Sequence, residues 1–269
     1  MDIDAIAVED LAALDGQERI EPFTGRLPGF DLAAAYQVTA VHRRLRIARG
    51  ERVVGRKLGF TNRKLWAEYD VHAPIWGDLY DTTVHEIATA GAEFDLAGLA
   101  APKIEPEIAF GLGRAPEPGM DEAQLMACIG WVAHGIEMVQ SLYPGWAFQP
   151  PDTVVAAALH GAYLIGPRRE LAAGERGEWQ ARLADFSLTL LRNGAATDRG
   201  HATDVLGSPL TVLGHLVALL AEDPDNPPLA AGEFVTTGSV TRALDIAPGE
   251  TWETRPEGLD LPGLSVRFS

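Results

Sequence analysis

The sequence predicts an α+β protein, a small helical N-terminal part packed on a mostly β body. Three observations predict it. Two amphipathic stretches open the chain. From Arg52 onward the pattern breaks into short segments bounded by Gly and Pro. The 28 glycines and 18 prolines make about 17% of the 269 residues, against a usual value of about 12%.

The elements follow in order. Residues 4–14 are weakly amphipathic. Residues 31–49 are more strongly so: Asp31 is placed to cap, Leu32, Ala35, Val38, Val41, Leu45 and Ala48 recur at helical spacing, and Gly50 ends the run. The arginines of its last turns (Arg43, Arg44, Arg46 and Arg49) suit a solvated face that complements the helix dipole. Strands are predicted near 52–59, 103–112, 131–140, 161–166, 182–192 and 233–239. Short helices are predicted near 62–69, 121–129, 152–159 and 209–222, the last opened by Ser208-Pro209. Asn193-Gly194 follows an alternating run and predicts a hairpin turn. With no repeat and no long linker, residues 1–50 read as a helical segment on a body formed by 51–269.

Composition narrows the partners. Lys and Arg number 22 against 38 Asp and Glu, a formal charge of −16, so a nucleic acid partner is not expected. Hydrophobic residues at 46% and charged residues at 22% suit a folded globular chain. Cys128 is the single cysteine, and the acidic start MDIDAIAVED lacks the pattern of a signal peptide. No apolar run of about 18 residues free of Pro and Gly breaks is apparent. A cytoplasmic protein without a membrane partner is expected.

The segment 103–110, KIEPEIAF, carries the most chemistry. On a strand Glu105 and Glu107 share one face, about 6.6–6.8 Å apart, with Ile104, Pro106, Ile108 and Phe110 on the other. Two like charges at that spacing repel unless a cation sits between them. Pro106 suggests an edge or a bulge, and on this segment alone a wet outer face is the simpler reading. Glu137 shifts the balance, because it is the only formally charged residue between Glu122 and Asp152. An unpaired carboxylate buried there would cost several kcal/mol, although a structural Glu with a partner fits as well as a functional one. Three carboxylates with open positions favour Mg²⁺ or Mn²⁺ over zinc or copper, with His134 the one imidazole near the pattern. In GRKLGFTN, 55–62, glycines and apolar residues flank Lys57. An exposed turn lysine is the commoner outcome, but a desolvated one would have a lowered pKa suited to proton transfer. Neither Gly-rich stretch is a phosphate loop.

Taken in order, several segments resemble the 2-hydroxypentadienoate (2-keto-4-pentenoate) hydratase and 4-oxalocrotonate decarboxylase family of the fumarylacetoacetate hydrolase superfamily. They are GRKLGFTN at 55–62, IEPEIAF at 104–110, GIEMVQS at 135–141, DTV at 152–154 and GAYLIG at 161–166. VLGSPLTVLGHLVALL at 205–220 and LAAGEFVTTGSVTRALDIAPGETW at 229–252 complete the set. The resemblance implies a mixed β-roll core with peripheral helices, often in a homo-oligomer. It implies a divalent metal, Mg²⁺ or Mn²⁺, on Glu105, Glu107 and Glu137, Lys57 beside the substrate as the catalytic residue, and substrate contacts at Leu58, Asp81, His160 and Ser239. The chain departs from the family pattern at Gln140, where an Asp is usual, and at 159–162, where LHGA replaces a Ser-Ser-Gly-Gly-like segment. His160 there predicts a substrate unlike simple 2-hydroxypentadienoate, with a packed structural histidine as the competing outcome.

The activity implied is hydration of a 2-hydroxy-2,4-dienoate to a 4-hydroxy-2-oxo acid, in catabolism of aromatic or cyclic compounds. Decarboxylation of a 4-oxalocrotonate-type acid is the runner-up, and acylpyruvate-type C–C hydrolysis the third. A catalytically silent subunit would have lost Lys57 or the carboxylates, and all four residues are present.

Overall fold

Capping side chains set the helix starts in the computed structural model, which describes residues 1–63, 66, 71–89 and 91–269. Asp2 accepts from Ala5 N (3.1 Å) to open α1, Ile3–Gly16, and Asp31 accepts from Ala34 N (2.9 Å) to open α3, Leu32–Ala48. The short α2, Phe23–Arg26, lies between them. A reciprocal Asp121–Gln124 box starts α4, Glu122–Cys128, and α5 is Pro150–Val155. α6 is Arg176–Ala184. Ser208 caps α7, Pro209–Glu222, with Pro209 in its first turn. The segment Ala202–Glu222 is long and apolar enough to cross a membrane, yet Leu210, Val212, Leu213, Leu216 and Leu220 are buried in the protein core.

The strands form two sheets. The larger has β1 (Val53–Gly59), β2 (Ile75–Tyr80), β3 (Val84–Glu86), β5 (Lys103–Leu112), β6 (Ile129–Val139), β7 (His160–Ile165) and β11 (Phe234–Thr236) in the order β2-β1-β11-β5-β6-β7-β3. β8 (Arg169–Glu170) adds to β6, and β12 (Leu244–Asp245) to β5. The smaller sheet runs β10-β9-β13-β14-β4, from β10 (Ala195–His201), β9 (Ser187–Arg192), β13 (Thr251–Glu257), β14 (Ser265–Phe268) and β4 (Ala92–Phe94). The α+β class and the curled mixed sheets agree with the predicted β-roll.

Side-chain alternation explains why β5 and β6 are covered twice. Ile104, Ile136 and Met138 pack on Leu190, Trp252 and Phe268 of the smaller sheet, while Ile108, Phe110 and Val132 pack among α4, α6 and α7. The opposite face holds Ala109, Ala133, Tyr163 and Phe234 inside the roll. Helices α1 and α3 pack through Ile6, Val38 and Val41 on Ile75, Val154 and Ala158. Pro106 is therefore not at a wet edge. Its carbonyl accepts from Val240 N (3.1 Å), so the missing N–H points at the loop between β11 and β12, where no ladder bond is lost.

Two predicted elements differ. Residues 182–184 belong to α6, where Trp179 and Leu183 bury one helical stripe, and the strand begins at Ser187. The helix predicted at 152–159 stops at Val155. Ala157, Ala158 and Leu159 then turn left-handed, with φ of 52°, 55° and 62°. The helix predicted near 62–69 lies largely outside the described residues.

Candidate metal centre and active site

Register brings the acidic side chains together. β5 and β6 pair with Glu105 directly opposite Glu137 and Glu107 opposite Gly135, so all three carboxylates share the inner face of the roll. One carboxylate oxygen from each lies within 4.8 Å of the other two. Glu107 and Glu137 are fully buried, and Glu105 is partly exposed at a cleft. The wet-face reading of this strand is thereby overturned.

Lys57 arrives from β1, two strands from β5. Its Nζ lies 2.8 Å from Glu137 Oε2, and the side chain is buried. Glu107 Oε2 accepts from Gly238 N at 3.0 Å. Gly238 has φ +85°, and a Cβ there would lie 2.0 Å from Thr61 Oγ1, so only glycine brings this N–H to the carboxylate.

Two histidines hold the cluster from behind. His134 Nδ1–H donates to the Glu107 carbonyl (2.9 Å), and Nε2 accepts from the Thr254 hydroxyl (2.8 Å), tying β6 and β5 to the smaller sheet. Burial lowers His134 to about 4, so it stays neutral. His160 Nδ1–H donates to Glu137 Oε1 (2.7 Å) and its Nε2 meets the Thr83 hydroxyl (2.9 Å). Burial lowers the His160 pKa despite the Glu137 bond. His160 is buried away from the cleft lining, its imidazole held between Glu137 and Thr83. Gln140 ties down the same region, its Oε1 accepting from Ala100 N (3.0 Å) and its Nε2 donating to the His160 carbonyl (3.3 Å).

Burial and mutual repulsion set the protonation. Burial raises Glu105 to about 7 even with Lys57 nearby. Burial and the charge of Glu137 push Glu107 well above the ordinary carboxylate range. At Glu137 burial opposes ionisation, but the Lys57 ammonium and the His160 bond prevail and hold it down to about 2. Burial works against the Lys57 charge, and the three carboxylates overcome it, so its pKa is raised. This corrects the lowered value expected from its apolar neighbours in sequence.

The donor set fits a divalent cation. It is all oxygen, its members converge, and Glu107 Oε1 is buried without a hydrogen-bond partner. A cleft of about 690 Å³ opens beside it, bounded by Lys57, Glu105, Ser239, Lys103, Trp146 and Phe148 among others. Ala158 and Leu159, from the left-handed turn, also border it, a placement typical of strain kept at functional sites.

Of the predicted substrate contacts, Ser239 lines the cleft with an unpartnered hydroxyl. Leu58 borders it while its side chain belongs to the core. Asp81 lies outside, on the turn after β2, where its carboxylate already takes Arg52 N and Nε, each at 2.9 Å. Sequence reasoning missed Lys103 as a cleft residue, although it shares the Glu105 face two positions earlier. It also missed Trp146, which lies under the Lys103 ammonium at 4.5 Å from ring centre.

A scan of protein-family models matched none. The chain is 32% identical over 256 residues to the 4-oxalocrotonate decarboxylase of Pseudomonas sp. strain CF600, covering 93% of this chain and 90% of that one. It is 30% identical over 258 residues to the 2-hydroxyhexa-2,4-dienoate hydratase of Comamonas testosteroni, covering 96% and 94%. Among solved structures, 4-oxalocrotonate decarboxylase from Pseudomonas putida G7, complexed with magnesium and adipate, superposes with a TM-score of 0.89 at 30% identity, covering 99% and 97%. A fumarylpyruvate hydrolase from Pseudomonas aeruginosa with Mn²⁺ and pyruvate shares the fold, with a TM-score of 0.57 at 16% identity over 79% and 88%. On these grounds the chain belongs to the 2-keto-4-pentenoate hydratase and 4-oxalocrotonate decarboxylase family of enzymes.

Proposed function

We propose that this enzyme adds water to a 2-hydroxy-2,4-dienoate, giving a 4-hydroxy-2-oxo acid. The observation that carries the proposal is the meeting of Lys57 and the three-carboxylate cluster at the wall of one cleft. Glu105, Glu107 and Glu137 would hold Mg²⁺ or Mn²⁺, which when bound supplies a Lewis acid for the substrate's carboxylate and C2 oxygen.

The chain's own groups account for the rest. Lys57, kept charged by its carboxylate neighbours, is a proton donor beside the conjugated chain. A proton added at C5 of the dienol leaves a 2-oxo-3-enoate. Water then adds at C4 while a proton goes to C3. Ser239 borders the cleft with its hydroxyl itself buried, and Trp146 and Phe148 give the substrate's tail an apolar side. His160 keeps Glu137 oriented without touching substrate.

Lys103 favours a second reading. Its ammonium borders the cleft, on the strand face that carries Glu105, and its carboxylate neighbour Asp245 is 3.7 Å away and exposed. A cation about one two-residue strand step from the cluster suits the far carboxylate of a six-carbon 2-oxo diacid. In that substrate the C5–C6 bond breaks, CO₂ leaves, and its electron pair passes through C4 and C3 to the C2 oxygen. Incubation of the Mg²⁺-loaded enzyme with 2-hydroxypenta-2,4-dienoate and with 2-oxohex-3-enedioate, with product identification, separates the two. A 4-hydroxy-2-oxo acid from the monoacid supports hydration; CO₂ release from the diacid alone assigns decarboxylation.

A further inference from the structure

Tyr163 stands on β7 directly opposite Glu137. Its side chain leans diagonally over β6: a Cβ built on Gly135 would lie 2.2 Å from the Tyr163 hydroxyl oxygen and 2.3 Å from Cζ. The phenol head therefore fills the place of a side chain at position 135. Gly135 is the direct partner of Glu107 across β5 and β6. Opposed Cβ positions in such a pair are about 4.5–5.5 Å apart, which puts the hydroxyl within reach of the Glu107 side chain.

Both groups lack a partner. Tyr163 is fully buried and its hydroxyl makes no hydrogen bond, and the same is true of Glu107 Oε1. A buried hydroxyl left unpaired destabilises the fold, whereas phenylalanine would fill the space without that penalty. The two orphans are complementary: a phenol donates one hydrogen, and a carboxylate oxygen accepts. Glu107 is already fixed at its carbonyl by His134 and at Oε2 by Gly238 N, so Oε1, with two lone pairs, can take the phenol hydrogen on one and face a cation with the other.

We infer that Tyr163 is a positioning residue of the metal centre, its hydroxyl closing onto Glu107 Oε1 and orienting that carboxylate toward the cation. The inference rests on the metal-site reading and deepens it. Tyr163→Phe keeps the ring and removes only the hydroxyl. Mn²⁺ titration by calorimetry on the metal-free protein should show binding weakened 10–100-fold, the usual effect of losing a partner of a ligand. Mg²⁺ addition to the wild type should give a tyrosine ultraviolet difference band that Tyr163→Phe loses, a signature that packing alone would not produce. Glu107→Gln runs in parallel. If it loses Mn²⁺ while Tyr163→Phe binds normally, the Tyr163 inference fails alone. If neither variant changes binding, the metal-site reading fails and takes the inference with it. A wild-type protein whose tyrosine absorption ignores saturating Mg²⁺ also overturns the inference, whether or not the variant folds.

Discussion

Replacing Lys57 by methionine removes a buried ammonium and leaves its shape largely filled, which isolates the charge. Without metal, Glu137 then keeps its His160 bond but loses its ammonium partner, beside two other carboxyl groups. Its depression from 4.5 to about 2 is worth about 3–4 kcal/mol. Breaking a buried pair by removing one partner costs about 3–5 kcal/mol. With an unfolding entropy of about 2.1 cal/mol/K per residue over 269 residues, the melting temperature should fall by about 6 °C.

The sign with pH follows from the low folded pKa of Glu137. A depressed carboxylate contributes stability above its unfolded pKa and loses it as pH falls through the folded one. The gap between wild type and Lys57→Met should therefore hold from pH 7 to 4.5 and shrink by about 1.4 kcal/mol per unit as pH falls from 4.5 toward 2. Metal acts oppositely. A cation in the wild type must displace Lys57 from Glu137, whereas the variant offers the carboxylates uncontested, so Mg²⁺ should raise its melting temperature more. Turnover should meanwhile drop by about two to four powers of ten. Calorimetric melts with chelator at pH 7 and 3, and with Mg²⁺ at pH 7, together with turnover, read these effects. Equal metal-free stability of the two proteins at pH 7 would refute the charge-balance argument.

Three further expectations follow from neighbouring groups. His160→Ala should weaken Mn²⁺ binding by about 10–100-fold through loss of the Glu137 bond, while kcat/KM ratios across short, apolar-tailed and carboxylate-tailed dienoates stay constant; a changed ratio would return His160 to the substrate. Lys103→Met should raise KM for a diacid by about tenfold and leave a monoacid unaffected, as read by steady-state kinetics on both. His134, lowered by burial to about 4 from an unfolded value near 6.5, should cost up to about 3 kcal/mol of stability as pH falls through that window. His134→Gln should flatten this part of the pH–stability curve, measured by urea titration.

Where local chemistry decides, the fold is legible. Strand β5 runs over the same residues, 103–112, that its alternation predicts, because both ends are set by Pro and Gly segments. Asp31 and Ser208 cap the helices they were placed to cap. Asn193 and Gly194 turn the β9–β10 hairpin with φ of 51° and 81°, the mirror-image turn that a right-twisted ribbon prefers. Where burial removes the pattern, legibility ends. Strand β2 is buried at all six positions, so it shows no alternation, and the two-to-four-residue strands β3, β4, β8, β12 and β14 are too short to show a period.

The site divides along the same line. That Glu105 and Glu107 share a face follows from the two-residue repeat, and the charge-poor stretch around Glu137 marks a buried carboxylate. Direction and long-range charge do not follow from the chain. Lys57 has Leu58 beside it and a glycine two positions away on either side in sequence, which argues for an ammonium that burial would neutralise. In the fold its nearest partners are carboxylates contributed by residues 105, 107 and 137, and they reverse the sign of its shift. His160 sits where sequence order expects a substrate contact, but β7 begins there and turns the imidazole to Glu137. Asp81 fails for the converse reason: a nearby arginine and a backbone N–H already satisfy it. The centre thus balances the charge of Glu137 with Lys57, and a cation held by the same carboxylates would compete with that lysine. Such competition would couple metal loading to the freeing of the proton donor, since Lys57 already borders the cleft.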